Sequence, residues 1–305
     1  MFIVLHRKVF YCLSGLLMLG SLLAILVWGF NPGIDFKGGS ILEISYATAR
    51  PDVSVLNAEL KSLSLDQSIR PTGDTGYIIR LKSITEEERL AMMKALALPG
   101  GTAPEVKRFD SIGPLLGAEA LSKSILSIIF VLLAIVLFVT FAFRKVSEPV
   151  ASWKYGLITV FALFHDVLVP TGVFVLLGHF AGFEVDTLFV TALLVILGFS
   201  VHDTIVVFDR VRENLKHAHV NRTKKTFEEI VGESINQTFV RSINTSLTTL
   251  LALAVLYFVG PEITKHFSLA LLVGITAGTY SSIFLGSPLL VTVERWQHRK
   301  RVWYT

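Results

Sequence analysis

The chain has 305 residues, 52% of them hydrophobic and only 17% charged, with a mean hydropathy of +0.62; a soluble domain carries about one quarter charged residues. The apolar excess falls into uninterrupted runs of about twenty residues without an ionised side chain, the length that crosses a hydrocarbon core of about 30 Å. This excludes a soluble, a disordered and a disulfide-stapled protein. The formal charge of +4 does not point to nucleic acid, because the positive residues flank the hydrophobic runs, where the positive-inside rule places them. Cys12, the single cysteine, lies within the first run and reads as a small apolar filler.

Six spans are predicted in chain order: Val9–Gly29, Ser122–Phe143, Tyr155–Gly178, Val185–Phe208, Phe239–Val259 and Phe267–Val291. The first follows Arg7-Lys8, as a signal peptide would. Its apolar run is too long for one and Trp28-Gly29-Phe30-Asn31 is a poor cleavage site, so it is expected to stay as an anchor. Arg144, Lys145 and Lys154 lie between spans two and three, six basic residues from Arg210 to Lys225 between spans four and five, and Arg295, Arg299, Lys300 and Arg301 after span six. The opposite links contain only Lys265, so both termini are expected in the cytoplasm. The basic link from Arg210, with Phe227, Ile230 and Val231 after it, reads either as a short interfacial helix or as a solvated charge cluster. The domains expected are residues 1–29 (tail and first span), 30–121 (an external domain) and 122–305 (spans two to six with their loops and tail).

Within the external segment, Ile41–Tyr46 alternates as a strand does, and Val53–Leu63 has the spacing of an amphipathic helix. Ser68–Pro71 and Tyr77–Lys82 flank Thr72-Gly73-Asp74-Thr75-Gly76, a hairpin loop. Thr85-Glu86-Glu87-Glu88 is a capping box opening a helix that runs to Pro99-Gly100-Gly101, and Glu105–Ser111 is a last strand. The order β-α-β-β-α-β is the ferredoxin-like split motif, so a small α+β domain is expected. It carries no nucleophile–base pair, metal-ligand spacing or phosphate loop, and contact rather than chemistry is its expected work.

Ionisable residues within spans are costly and mark candidate sites. Span three carries His165-Asp166 and span four His202-Asp203-Thr204. On span five, Gln237, Arg241, Asn244 or Thr245, and Thr248 recur every three to four residues and share one face. Two readings are open: a proton or ion path between Asp203 and Arg241, or a structural ion pair with Arg241 reaching to the interface. In span six, Gly274, Gly278, Ser282 and Gly286 fall at four-residue intervals, which suits close helix packing.

With these residues the chain resembles the SecD/SecF family of protein-export membrane proteins. The resemblance rests on the run from Val190 to Asn214 around Val201-His202-Asp203-Thr204 and on Gly33-Ile34-Asp35-Phe36-Lys37-Gly38-Gly39 after span one. It also rests on His165-Asp166, Asn236–Thr249 around Arg241, and Gly278-Thr279-Tyr280-Ser281-Ser282-Ile283-Phe284. Where the family usually has Asn, this chain has His202. The likeness implies six membrane helices forming half of a bundle like that of the resistance-nodulation-division (RND) exporters, in the bacterial cytoplasmic membrane. It implies an accessory subunit of the Sec translocase that works with SecD and the SecYEG translocon on exported unfolded polypeptide, driven by the proton-motive force. Asp203 and Arg241 match the family's proton-coupling residues; His202, Thr204, His165 and Asp166 accompany them, with Asp35, Gly38 and Gly39 as the joint to the external domain. Neither an enzyme activity nor a cofactor or metal is implied. The rival reading is an RND-like half-transporter for a small molecule or lipid, for whose substrate cleft ninety external residues leave little room.

Overall fold

A computed structural model describes residues 2–47, 50–61, 63, 67–97, 103–144 and 150–302. The predicted helix end Pro99-Gly100-Gly101 and Lys145 lie outside the described residues. The chain forms two compact units, Pro32–Ile125 and the remainder.

The first unit starts with the one-turn helix α3 (Ile34–Lys37), after α1 (Phe2–Leu5) and α2 (Arg7–Trp28), which belong to the second. It continues as β1 (Gly39–Ser45), α4 (Val53–Lys61), β2 (Gln67–Thr72), β3 (Gly76–Leu81), α5 (Glu86–Leu96) and β4 (Glu105–Ile112). The strands form one antiparallel sheet in the order β2-β3-β1-β4. This is the predicted β-α-β-β-α-β element order. Leu42 and Ile44 of β1 and Tyr77, Ile79 and Leu81 of β3 point to one face, because alternate strand residues do, and there meet Leu56 and Leu60 of α4 and Met92 and Leu96 of α5. The capping box of α5 forms as read: Thr85 Oγ1 accepts from Glu88 N, and Thr85 N donates to the Glu88 carboxylate.

Within this unit Gly38 and Gly39 form a packed turn. Both have positive φ, +75° and +138°, which Cβ-bearing residues rarely adopt. A Cβ on Gly38 would lie 2.7 Å from Pro114 Cα, and one on Gly39 2.7 Å from the Leu81 carbonyl oxygen. Asp35 sits in the first turn of α3 just before them.

Six helices are long and apolar enough to cross a bilayer, all within the second unit except the start of α6: α2, α6 (Pro114–Ala142), α7 (Ser152–Ala181), α8 (Thr187–Val220), α9 (Phe227–Val259) and a last span. The last span is α10 (Glu262–Tyr280), a π-helical turn Ser281–Gly286, and α11 (Ser287–Val302). The π-turn has a local cause in Pro288, which has no N–H to donate to the carbonyl four residues back and so disfavours a regular α-helix there. The last span, α7 and α8 make up the buried middle, whereas α2, α6 and α9 turn apolar side chains outward.

Four boundaries differ widely from the sequence expectation; α6 begins at Pro114 rather than Ser122, and the last span runs on to Val302 rather than Val291. Helix α8 does not stop near Phe208 but continues to Val220, and α9 begins at Phe227 rather than Phe239. The basic link is therefore mostly helix, with a turn at Asn221 and Arg222, and no separate interfacial helix forms. The Thr226–Glu229 capping box starts α9, and Glu228 beside it pairs with both Arg7 of α2 and Arg295 of α11.

Candidate functional site: a layer of buried polar groups

Small residues let the middle helices approach. A Cβ on Gly278 would lie 3.0 Å from Ser200 Cβ, and one on Gly274 would run into the Ile196 side chain. Ser282 Oγ donates to the Ser200 and Gly278 carbonyls and lies 2.9 Å from Thr204 Oγ1. Gly274, Gly278 and Ser282 thus track Ile196, Ser200 and Thr204 of α8 turn for turn. Gly286 leaves this face: the π-turn rotates it toward α7, where its nearest side chain is Ala162.

Two carboxylates are buried at this level, each with a different hydrogen-bond supply. Asp166 of α7 accepts from His165 Nδ1 at 2.8 Å, from Ser281 Oγ at 2.8 Å and from Ser200 Oγ. Three donors from three helices suit an ionised carboxylate. Both His165 and Asp166 are fully buried. Pro170, four residues on, has no N–H for the Asp166 backbone carbonyl, so one helical hydrogen bond is missing here although α7 runs on unbroken.

Asp203 of α8, 2% exposed, has a sparser supply. Ser246 Oγ of α9 lies 3.5 Å from its carboxylate and 2.6 Å from Thr279 Oγ1, which itself donates to the Ile275 carbonyl at 2.8 Å. Two hydroxyl hydrogens cannot serve the carboxylate, both hydroxyls and the Ile275 carbonyl together. A proton on Asp203 completes the chain, with the carboxylic acid donating to Ser246, Ser246 to Thr279, and Thr279 to the carbonyl. The ionised form is instead left with one long hydrogen bond.

The structure does not turn Arg241 toward Asp203. The inward face of α9 carries the small hydroxyl residues Ser234, Thr238, Ser242 and Ser246, whereas Gln237, Arg241, Asn244, Thr245 and Thr248 are exposed. No ion pair joins Asp203 to Arg241 among the described residues. His202 also points out of the chain, while Thr204 points in. The outer surface of α8 and α9 therefore presents an imidazole, a guanidinium and amides within spans otherwise clad in Leu, Val and Phe. Ser200, Ser246, Thr279 and Ser281 were missed as site residues, because a serine or threonine in an apolar helix can bond its own backbone, as Thr248 does to Asn244.

Comparison with known proteins places the chain in a family. Residues 93–296 match the family model described as protein export membrane protein SecD/SecF, C-terminal, and residues 24–49 match the SecD/SecF GG motif. The chain belongs to the SecD/SecF family. Curated relatives include the protein translocase subunit SecF of Thermobaculum terrenum, 42% identical over 96% of this chain and 93% of the relative. The SecF subunits of Rhodothermus marinus and Synechocystis sp. are 38% and 34% identical over 95% and 96% of this chain, and the first is covered over 92% of its length and the second over 94%. The crystal structure of SecDF from Thermus thermophilus, a translocon-associated membrane protein, is similar with a TM-score of 0.80 and 31% identity over 96% of this chain. The chain spans only 38% of that longer SecDF chain.

Proposed function

We propose that this SecD/SecF-family chain, an accessory subunit of the Sec protein translocase, couples the proton-motive force to polypeptide export through Asp203. The observation that carries this reading is the hydrogen-bond supply around Asp203, a buried carboxylate that has, among the described residues, one long hydrogen bond from Ser246. Losing that proton leaves a charge in an apolar layer, which must be answered by a cation, by water or by movement of the helices. Arg241 lies on the neighbouring helix, facing outward. A rotation of α9, or a carboxylate brought by a partner, would engage it.

The partner is SecD. Its place is the outward face of α8 and α9, where His202, Gln237, Arg241, Asn244 and Thr248 would be stranded in lipid without one. The whole assembly acts with the SecYEG translocon on unfolded polypeptide. Both termini are cytoplasmic, which puts residues 30–121 on the outer side, where the packed Gly38-Gly39 turn holds the α+β domain in shape. The small-molecule half-transporter is not favoured, since the curated relatives that match nearly end to end are translocase subunits.

Asp203→Asn tests the reading. The side chain keeps its size and its capacity for hydrogen bonds but cannot exchange a proton. In inverted membrane vesicles the variant should insert and co-purify with SecD, yet its export should no longer rise when a proton-motive force is imposed. A full response in the variant would make Asp203 a packing residue and overturn the proposal.

A further inference from the structure

We propose that His165 is a second proton-binding group of the bundle, taking a proton at Nε2 during the transport cycle with Asp166 as its positioning residue. The inference rests on the proton-coupled reading above and adds a site to it. The imidazole Nδ1 lies 2.8 Å from the Asp166 carboxylate; toward an ionised carboxylate it can only donate, which puts the lone pair of the neutral ring on Nε2. That Nε2 is fully buried and has no hydrogen-bond partner among the described residues. A buried polar atom in this condition is costly, and few survive in folded proteins. Nδ1 held by a buried carboxylate, with Nε2 open, is the arrangement that makes an imidazole a base.

Charge balance favours the same step. Asp166 ionised beside a neutral His165 leaves one net negative charge in the apolar layer, and among the described residues no Lys or Arg forms an ion pair with either. Protonation at Nε2 converts the couple into imidazolium and carboxylate, a hydrogen-bonded pair of no net charge, which a buried environment tolerates better than a lone ion. The proton comes from and returns to water through the cycle; no bond other than N–H forms or breaks.

The groups around the dyad explain how a proton there would be felt. On α7 itself the titratable neighbour is Asp166. From the last span, Tyr280 presents its ring with centroids 6.0 Å apart, within reach of a cation–π contact once the imidazole is charged. From α8 comes Ser200, which does not titrate, and the α8 carboxylate Asp203 has its hydroxyl contact with Ser246 of α9 instead. From α2, Ser14 donates to the Tyr280 hydroxyl, which in turn donates to the Phe10 carbonyl. Tyr280 precedes and Ser281 begins the π-turn, and π-turns within helices recur at functional sites. A proton on His165 therefore acts on Tyr280 and on the Asp166–Ser281 bond together, at the one irregular turn of the last span.

The test reads the ring nitrogen itself. The chain is incorporated with SecD into lipid vesicles, with ¹³C at phenylalanine carbonyls and ¹⁵N in histidine. Phe164-His165 is the sole Phe-His step in the sequence, so its amide identifies the residue without a variant. Solid-state NMR then follows its Nε2 shift across about pH 5 to pH 8, where histidines change charge. The proposal expects Nε2 to pass from the lone-pair to the N–H shift, and Asp166→Asn to abolish the single-tautomer signal at high pH. A ring that keeps one neutral signal throughout overturns the inference. Repeating the titration in Asp203→Asn separates the two claims: His165 should still titrate there while the export response to the proton-motive force is lost. A titrating His165 in a protein whose export never responds to that force would leave the site standing and sink the coupled reading.

Discussion

Replacing single glycines by alanine in the bundle should have opposite effects according to what a Cβ meets. On Gly198 of α8 a Cβ finds nothing within 4 Å. Gly198→Ala should therefore gain the ordinary helix-interior benefit of about 0.5–1 kcal/mol. On Gly278 the same methyl would lie 3.0 Å from Ser200 Cβ and 3.4 Å from Ser200 Oγ, against an optimum of about 3.5–4.0 Å for carbon. The two helices must part by roughly half an ångström, at a typical overpacking cost of about 1–3 kcal/mol. Offset by the helix benefit, the net loss should be about 0–2.5 kcal/mol. On Gly172 of α7 the Cβ would overlap the Cα, Cβ and Oγ of Ser21 on α2. No rotamer relieves a clash with backbone, so the loss should approach the upper end, about 2–3 kcal/mol. The assay is reversible unfolding of the purified chain in mixed micelles by rising SDS mole fraction, read by tryptophan fluorescence. Equal stabilities for the Gly198 and Gly172 variants would refute the packing described for α2 against α7.

Four further outcomes follow from other parts of the molecule. Gly38→Ala should unsettle the external domain, because positive φ and contact with Pro114 both oppose a Cβ; limited proteolysis of residues 30–121 should quicken, and unchanged protection would contradict the packed turn. Tyr46 donates to the Leu96 carbonyl, and burial pushes its hydroxyl from 10.0 up to about 12. A raised folded value means that this contribution is complete below about pH 10 and disappears as pH rises toward 12; Tyr46→Phe should flatten part of that alkaline loss in a urea series, and an unchanged slope would count against it. Cysteine labelling at Asp74 should succeed from outside intact cells and labelling at the C-terminal end should not; both on one side would sink the six-span topology. Finally, Ser246→Ala should remove the hydroxyl that links Asp203 to Thr279, and should shift the pH dependence of the export response, whereas a purely structural serine would leave it in place.

How much was legible in the sequence depended on which physical signal was involved. Spans announce themselves by length and hydropathy, and the α+β domain by alternation, turn glycines and the Thr85 capping box. The extensions of α8 and α9 beyond their apolar runs were hidden because charged residues such as Arg212, Glu213 and Lys216 end an apolar run without ending a helix. Period alone showed that Gln237, Arg241, Asn244 and Thr248 share a face, but not that the face looks outward; that is settled by Ser242 and Ser246, whose small size lets α9 lie close to its neighbours. The four-residue stripe of span six was legible up to Ser282 and failed at Gly286, since the π-turn adds a residue to the repeat. Asp166 and Asp203 were both visible as buried carboxylates. Their different hydrogen-bond supply came from hydroxyls on other helices, which no local pattern in the sequence could align.

The central claim is that Asp203 lets the membrane potential do work on this bundle. One elementary charge moved through 100 mV supplies about 2.3 kcal/mol, or about fifty-fold in an equilibrium. The most direct measurement is the export rate in vesicles carrying SecYEG, SecD and this chain, as the imposed potential is stepped from zero upward with ATP held constant. The account predicts a steep rise with the wild-type chain and a flat line with Asp203→Asn, at equal amounts of assembled complex. A wild-type slope retained by Asp203→Asn would contradict it.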